Sequence, residues 1–89
     1  MKTHLNTLYV TTQGSYLGKQ GLAVQVRVDG KPRAQLPLHN LEGIVCFGRI
    51  GCSPALMGFC ADQGVAISFL TERGRYLASV RGASTATSW

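Results

Sequence analysis

The most constraining stretch of the chain runs from Leu36 to Leu70, LPLHNLEGIVCFGRIGCSPALMGFCADQGVAISFL. Residues 43–48 form a short apolar run closed by glycines, as expected of a strand covered on both faces. Ser53-Pro54 then opens a helix. The Ser53 hydroxyl can accept from a free backbone N–H, and Pro54 at the first helical position lacks an N–H that would go unpaired. Leu56, Phe59 and Cys60 share one helical face, and Gly64 stands where a left-handed residue ends a helix. Residues 65–70 are a second apolar run. Two such strands joined by a helix over about 53–64 pair in parallel through a right-handed crossover.

The flanking segments are shorter and more polar. Residues 5–12 are rich in β-branched and aromatic side chains and predict a first strand. Gln13-Gly14 is a turn signal, and residues 15–19 predict a second strand pairing back as a hairpin. Residues 22–28 alternate, with Val24, Val26 and Val28 on one face and Gln25 and Arg27 on the other. Asp29-Gly30 suits a two-residue hairpin turn into residues 31–38. Pro32 and Pro37 cannot donate ladder bonds, so this strand belongs at an edge or ends early. Residues 75–81 predict a last strand antiparallel to the sixth. The fold class is therefore mainly β (α+β): seven short strands in a twisted sheet or two packed sheets, with one crossover helix. Residues 1–82 form the domain, and 83–89 read as a small, polar tail.

Eighty-nine residues make one small domain, and nine Lys and Arg against four acidic residues give a net charge of +5. That balance favours an anionic partner, nucleic acid above all, although Arg27, Arg33, Arg49, Arg73, Arg75 and Arg81 are spread along the chain. Cys46, Cys52 and Cys60 form no C-x-x-C and signal no zinc site. Cys46 and Cys60 fall on apolar faces and read as small buried hydrophobes. Cys52 precedes the helix, where a thiol pKa can fall; an ordinary loop cysteine is the simpler reading. Unpaired thiols suit a reducing cytoplasm. No signal peptide is apparent, and no apolar run is long enough for a membrane span.

Catalytic, cofactor and metal residues are all expected to be absent. Asp29, Glu42, Asp62 and Glu72 form no carboxylate pair, and His39 with Glu42 supplies two metal ligands at most. Gly48, Gly51 and the helix start at Ser53 could hold a phosphate, but the spacing is not that of a P-loop.

The segments LNTLYVTTQGSYLGKQG, LEGIVCFG, SPALMGFCADQGVAISFL and GRYLASVRG, in that order, resemble the N-terminal β-domain of the CRISPR-associated adaptation endonuclease/integrase family (Cas-one), closest in style to subtype I-C. The resemblance spans residues 5–82. It implies the first quarter of a longer prokaryotic, cytoplasmic protein. In that family a helical C-terminal domain carries a glutamate, histidine and aspartate trio for Mg or Mn, and no position here matches it. The fragment alone would be non-catalytic. The resemblance also implies a homodimer, DNA docking and, for the whole protein, the second CRISPR adaptation subunit as partner.

Arg27, Arg33, Arg73 and Arg75 are the expected DNA contacts, weak and indifferent to sequence. Tyr16 is the one substitute for an aromatic that, in some members, wedges against the duplex end. The dimer is expected along the first hairpin, which lacks proline and carries no charge before Lys19, with Tyr9 and Leu17 marking the interface. The alternative is a stand-alone basic β-rich nucleic-acid-binding domain. It would need exposed aromatics, whereas Tyr9, Tyr16, Phe47, Phe59, Phe69 and Tyr76 fall mostly on core-like positions.

Overall fold

The computed structural model describes residues 2–4 and 6–81. The tail expected at 83–89 lies outside them. Among the described residues are nine strands: β1 (Lys2–His4), β2 (Thr7–Val10), β3 (Ser15–Gln20), β4 (Ala23–Val28), β5 (Lys31–Pro37), β6 (Gly43–Phe47), β7 (Gly51–Cys52), β8 (Ala66–Leu70) and β9 (Tyr76–Val80). A 3-10 turn (Leu38–Asn40) follows β5, and one helix, α1 (Pro54–Gln63), precedes β8. The strands form two mixed sheets, one ordered β1-β2-β6-β8-β9 and the other β5-β4-β3-β7.

The parallel β6–α1–β8 pairing is as the sequence predicts, although β6 alternates buried and half-buried residues instead of being covered on both faces. β6 and β8 pair in parallel from Gly43↔Ala66 to Phe47↔Leu70. Ser53 is the N-cap: its side chain accepts from the Leu56 N–H at 3.2 Å. Gly64 ends the helix at φ 73, a left-handed conformation that costs other residues strain. Leu56 and Cys60 are fully buried and Phe59 is packed against the same core. Asp29 (φ 55) and Gly30 (φ 76) both take the positive φ of a type I′ turn, so β4 and β5 form the expected hairpin. β5, with its two prolines, is indeed an edge strand.

The first hairpin is a correction. β2 and β3 do not pair; they belong to different sheets. Two local features explain this. Asn6 adopts φ 65, which breaks the run at 5–12 and lets β1 fold back on β2. Gly14, at φ 82, then carries the chain from one layer to the other instead of reversing it within a sheet. Leu8 and Val10 reach the core from one sheet and Leu17 from the other. β2 pairs in parallel with β6, and β3 pairs with β4 and, through Tyr16↔Gly51 and Leu17↔Cys52, with the two-residue β7.

One core joins the sheets. The five-stranded sheet contributes Leu8, Val10, Ile44, Cys46 and Ile67, the four-stranded sheet Leu17, Val24 and Val26, and the helix Leu56 and Cys60. α1 packs on β3 and β8, one strand from each sheet. The outer face of the five-stranded sheet is also apolar in part. Tyr9, Val45, Phe47 and Leu70 lie there half-buried, with the Tyr9 and Phe47 rings stacked at 6.4 Å.

Candidate nucleic-acid interface

β2, β6 and β8 run parallel, so their carboxyl ends bring three connections together: residues 11–14, 48–50 and 71–75. In open α/β sheets the carboxyl ends of parallel strands are where ligands are met, and the three central strands of this mixed sheet share that arrangement. Arg49, Arg73 and Arg75 are all exposed on these connections. Arginines far apart in sequence thus gather at one end of the fold.

The connections are tied by hydrogen bonds. The Gln13 Nε2 donates to the Phe47 carbonyl at 2.8 Å and to the Thr11 carbonyl at 3.2 Å, and its Oε1 accepts from the Arg49 N–H at 2.7 Å. Gly14 N–H donates to the Arg49 carbonyl at 3.0 Å, and Gly48 N–H to the Leu70 carbonyl at 2.8 Å. Gly48 holds φ 86, and a Cβ there would fall 2.5 Å from Gln13 Nε2 and 2.6 Å from Glu72 Cγ. The last turn closes on itself: Thr71 N–H bonds the Arg75 carbonyl at 2.8 Å, Gly74 N–H the Thr71 carbonyl at 2.9 Å, and Arg75 N–H the Thr71 hydroxyl at 3.0 Å. Arg73 and Arg75 therefore stand on an ordered turn.

Two other expected residues form a separate pair. Tyr16 and Arg27 are register partners on the solvent face of the four-stranded sheet, both exposed. Tyr16 lies against Gly51, where a Cβ would approach its ring to 2.7 Å. Arg27 Nε donates to Gln25 Oε1 at 2.7 Å. Exposed Arg33 lines a cleft of about 380 Å³ with Thr12, Ser15, Val26 and Val28, and so reaches the 11–14 connection from the β4–β5 side.

The expected aromatic pattern holds in part: Phe59 and Phe69 pack against the core and Tyr9 and Phe47 are half-buried, whereas Tyr16, 46% exposed, and Tyr76, 60% exposed, depart from it. The interface markers also separate. β2 lies between β1 and β6, and β3 between β4 and β7, so the open hairpin edge does not exist. Leu17 is 0% exposed and has no surface to offer another chain, whereas Tyr9 keeps part of its ring on the outer sheet face.

Cys46 and Cys60 are buried, and burial pushes both thiols up to about 12. At Cys52, too, burial raises the thiol, to about 11, so the helix terminus yields no reactive thiolate and the simpler reading of an ordinary cysteine holds, though in β7 rather than a loop. Among the described residues no three His, Cys, Asp or Glu side chains gather to hold a metal. Asp29, Glu42, Asp62, Glu72 and His39 are each exposed, and His39 lines a cleft with Leu22, Phe59 and Gln63. This donor set does not fit a divalent metal centre. No helix of the described residues is long and apolar enough to cross a membrane.

Arg49 and Gln13 were not singled out by the sequence reading as partners. The available signal was the Gly48-Arg49 exit of an apolar strand expected to be parallel. The model of the CRISPR associated protein Cas1 family matches residues 8–88. The chain belongs to the Cas1 family. It is 57% identical over 82 residues to a CRISPR-associated endonuclease Cas1 of Chlorobaculum tepidum, and 44% identical over 82 residues to one of Rhodospirillum rubrum. Each alignment covers 92% of this chain and 24% of the relative, so the chain spans about a quarter of the length of these Cas1 proteins. Solved Cas1 structures share the fold at low identity. A Cas1 protein from Thermotoga maritima superposes with a TM-score of 0.75 at 16% identity, over 92% of this chain and 25% of that one. A Cas1–DNA complex gives 0.74 at 13% identity, over 93% and 32%. A partial Cas6-RT-Cas1–Cas2 complex gives 0.78 at 16% identity, over 91% and 24%.

Proposed function

We propose that this chain is the dimerising and DNA-docking β-domain of a Cas1 integrase, the enzyme that inserts new spacers in CRISPR adaptation. By itself it is non-catalytic. The observation that carries this reading is the family match over residues 8–88. The whole enzyme would use Mg or Mn held by residues beyond this chain, pair with Cas2, and work in the prokaryotic cytoplasm. The donor set described above does not fit that metal, so the domain's own contribution is positioning.

DNA is held by Arg33, Arg49, Arg73 and Arg75 at the loop end, with Tyr16 and Arg27 as a neighbouring contact. Guanidinium groups on ordered turns neutralise phosphates and read no base edges, so binding is weak and indifferent to sequence. A second copy covers the outer face of the five-stranded sheet, where Tyr9, Val45, Phe47 and Leu70 remain half-buried.

Fluorescence anisotropy with several unrelated duplexes tests the docking role. The expected result is one shared affinity and a linear fall of log K with log salt. A tight, sequence-selective complex at physiological salt would defeat it. Metal-dependent cleavage of branched or linear DNA by the rigorously purified chain would defeat the non-catalytic reading. The exposed Tyr16 beside Arg27 favours one competing role, a stand-alone single-strand binder that stacks bases on the ring. A clear preference for single strands over duplex in the same titration would establish that role instead.

A further inference from the structure

Gln13 is half-buried between exposed neighbours, Thr12 and Gly14. Its side chain does not serve its own loop alone. It crosses to the 48–50 connection and captures the peptide of Arg49: Oε1 accepts from the Arg49 N–H at 2.7 Å, while Gly14 N–H reaches the Arg49 carbonyl at 3.0 Å. Both backbone polar groups of one exposed arginine are thus bonded by residues 13 and 14, across more than thirty residues of sequence. Nε2 anchors the amide to the end of β6 through the Phe47 carbonyl at 2.8 Å. The third connection joins through Gly48, whose missing side chain leaves room for the Gln13 amide and for Glu72 Cγ. Arg73 and Arg75 follow Glu72 on the same closed turn.

We propose that Gln13 is a positioning residue that locks Arg49 beside the Arg73–Arg75 turn, making one rigid ridge of guanidinium groups for the phosphodiester backbone of duplex DNA. This rests on the docking role proposed above and adds the device that fixes its geometry. An arginine on a loose loop loses conformational freedom when it grips a phosphate; one whose peptide is already bonded on both sides loses less. Gln13 is neutral and touches no phosphate. Its removal alters ion release only through Arg49.

That consequence separates positioning from a purely structural staple. A neutral-to-neutral change such as Gln13→Leu leaves the protein's charge untouched. If Gln13 only holds the sheets together, melting falls and the salt dependence of duplex binding stays put. If it positions Arg49, the slope of log K against log salt loses about 0.9, one phosphate contact, which is roughly an eightfold weaker complex at 0.1 M salt. Arg49→Ala should show the same loss, and the double variant Gln13→Leu with Arg49→Ala should be no weaker than either alone. Gln20→Leu, at the far end of β3, should keep the parental slope.

Each variant is checked by circular dichroism and thermal melting. Should Gln13→Leu fail to fold, Gln13→Asn replaces it; it keeps the amide but, one methylene shorter, does not reach the Phe47 carbonyl and the Arg49 N–H, and the same slope loss is expected. A parental slope in the folded Gln13 variant, or additive losses in the double variant, overturns the positioning role and leaves docking intact. A parent chain that binds no duplex even at low salt overturns both.

Discussion

Gly48→Ala tests whether the three connections are wedged together as tightly as their geometry says. Two costs are expected. The first is conformational: φ 86 is left-handed backbone, and an L side chain there costs about 1–2 kcal/mol. The second is steric. The new Cβ would lie 2.5 Å from Gln13 Nε2 and 2.6 Å from Glu72 Cγ. Glu72 is exposed and can swing into solvent cheaply. The Gln13 amide cannot, because moving it breaks its bonds to the Phe47 carbonyl and the Arg49 N–H, at about 0.5–1.5 kcal/mol net each. The total is about 2–5 kcal/mol, or a melting temperature lower by roughly 10–30 °C in a domain of this size. Urea denaturation of the parent, Gly48→Ala, Gln13→Ala and the double variant resolves the two parts. With the amide removed, Gly48→Ala should cost only the backbone portion, about 1–2 kcal/mol. Equal costs in both backgrounds, within the roughly 0.5 kcal/mol expected of independent sites, would refute the wedge. A cost under about 0.5 kcal/mol in the parent would refute both parts.

Gly58 lies mid-helix with nothing within 4 Å of where its Cβ would stand, so Gly58→Ala should raise stability by about 0.5–1 kcal/mol, seen as a higher urea midpoint at unchanged slope. Tyr9→Glu should fold and leave a monomer by light scattering if the outer sheet face is the dimer contact, whereas Leu17→Glu should unfold the chain, since it puts a carboxylate into a fully buried site. Cys46 and Cys60 have native thiol pKa values raised from 9.0 to about 12, so stability is whole below pH 9 and declines as pH rises toward 12; urea titrations should show a smaller loss in Cys46→Val, and an unchanged pH profile in that variant would refute the assignment. All three thiols should resist a disulfide reagent at pH 8 and react together on unfolding; rapid labelling of native Cys52 would contradict its pKa of about 11.

Local chemistry made part of the fold legible. Ser53-Pro54, Gly64 and Asp29-Gly30 act over three or four residues, and each does in the structure what its residue type dictates. Pro32 and Pro37 marked an edge because a missing N–H excludes them from the middle of a sheet. What the sequence hid was partnership. Gln13-Gly14 signals a change of direction but not whether the chain returns to its own sheet or crosses to the other. Gly51 and Cys52 make a strand too short to show any period. In β3 Tyr16 and Leu17 are adjacent and apolar, so the residues show no alternation, and only the layer order shows that Leu17 faces the core and Tyr16 the solvent. The loop-end cluster was the least legible part, because Arg49 and Gln13 meet only once β2 and β6 lie side by side.

That same neighbourhood of β2 and β6 sets the order in which the protein can assemble as it leaves the ribosome. β3, β4 and β5 pair with strands next to them in sequence and can close as soon as they emerge. β2 must wait: Val10 meets Cys46 only after the three-stranded β3-β4-β5 meander and β6 have been made. Until then the apolar face carrying Leu8 and Val10 has no cover, and the nascent chain presents it to chaperones or to other copies of itself. β2, synthesised well before β6 and β8, is thus among the last strands of the large sheet to be seated, and trimming into Thr7–Val10 would remove the strand that sits between β1 and β6.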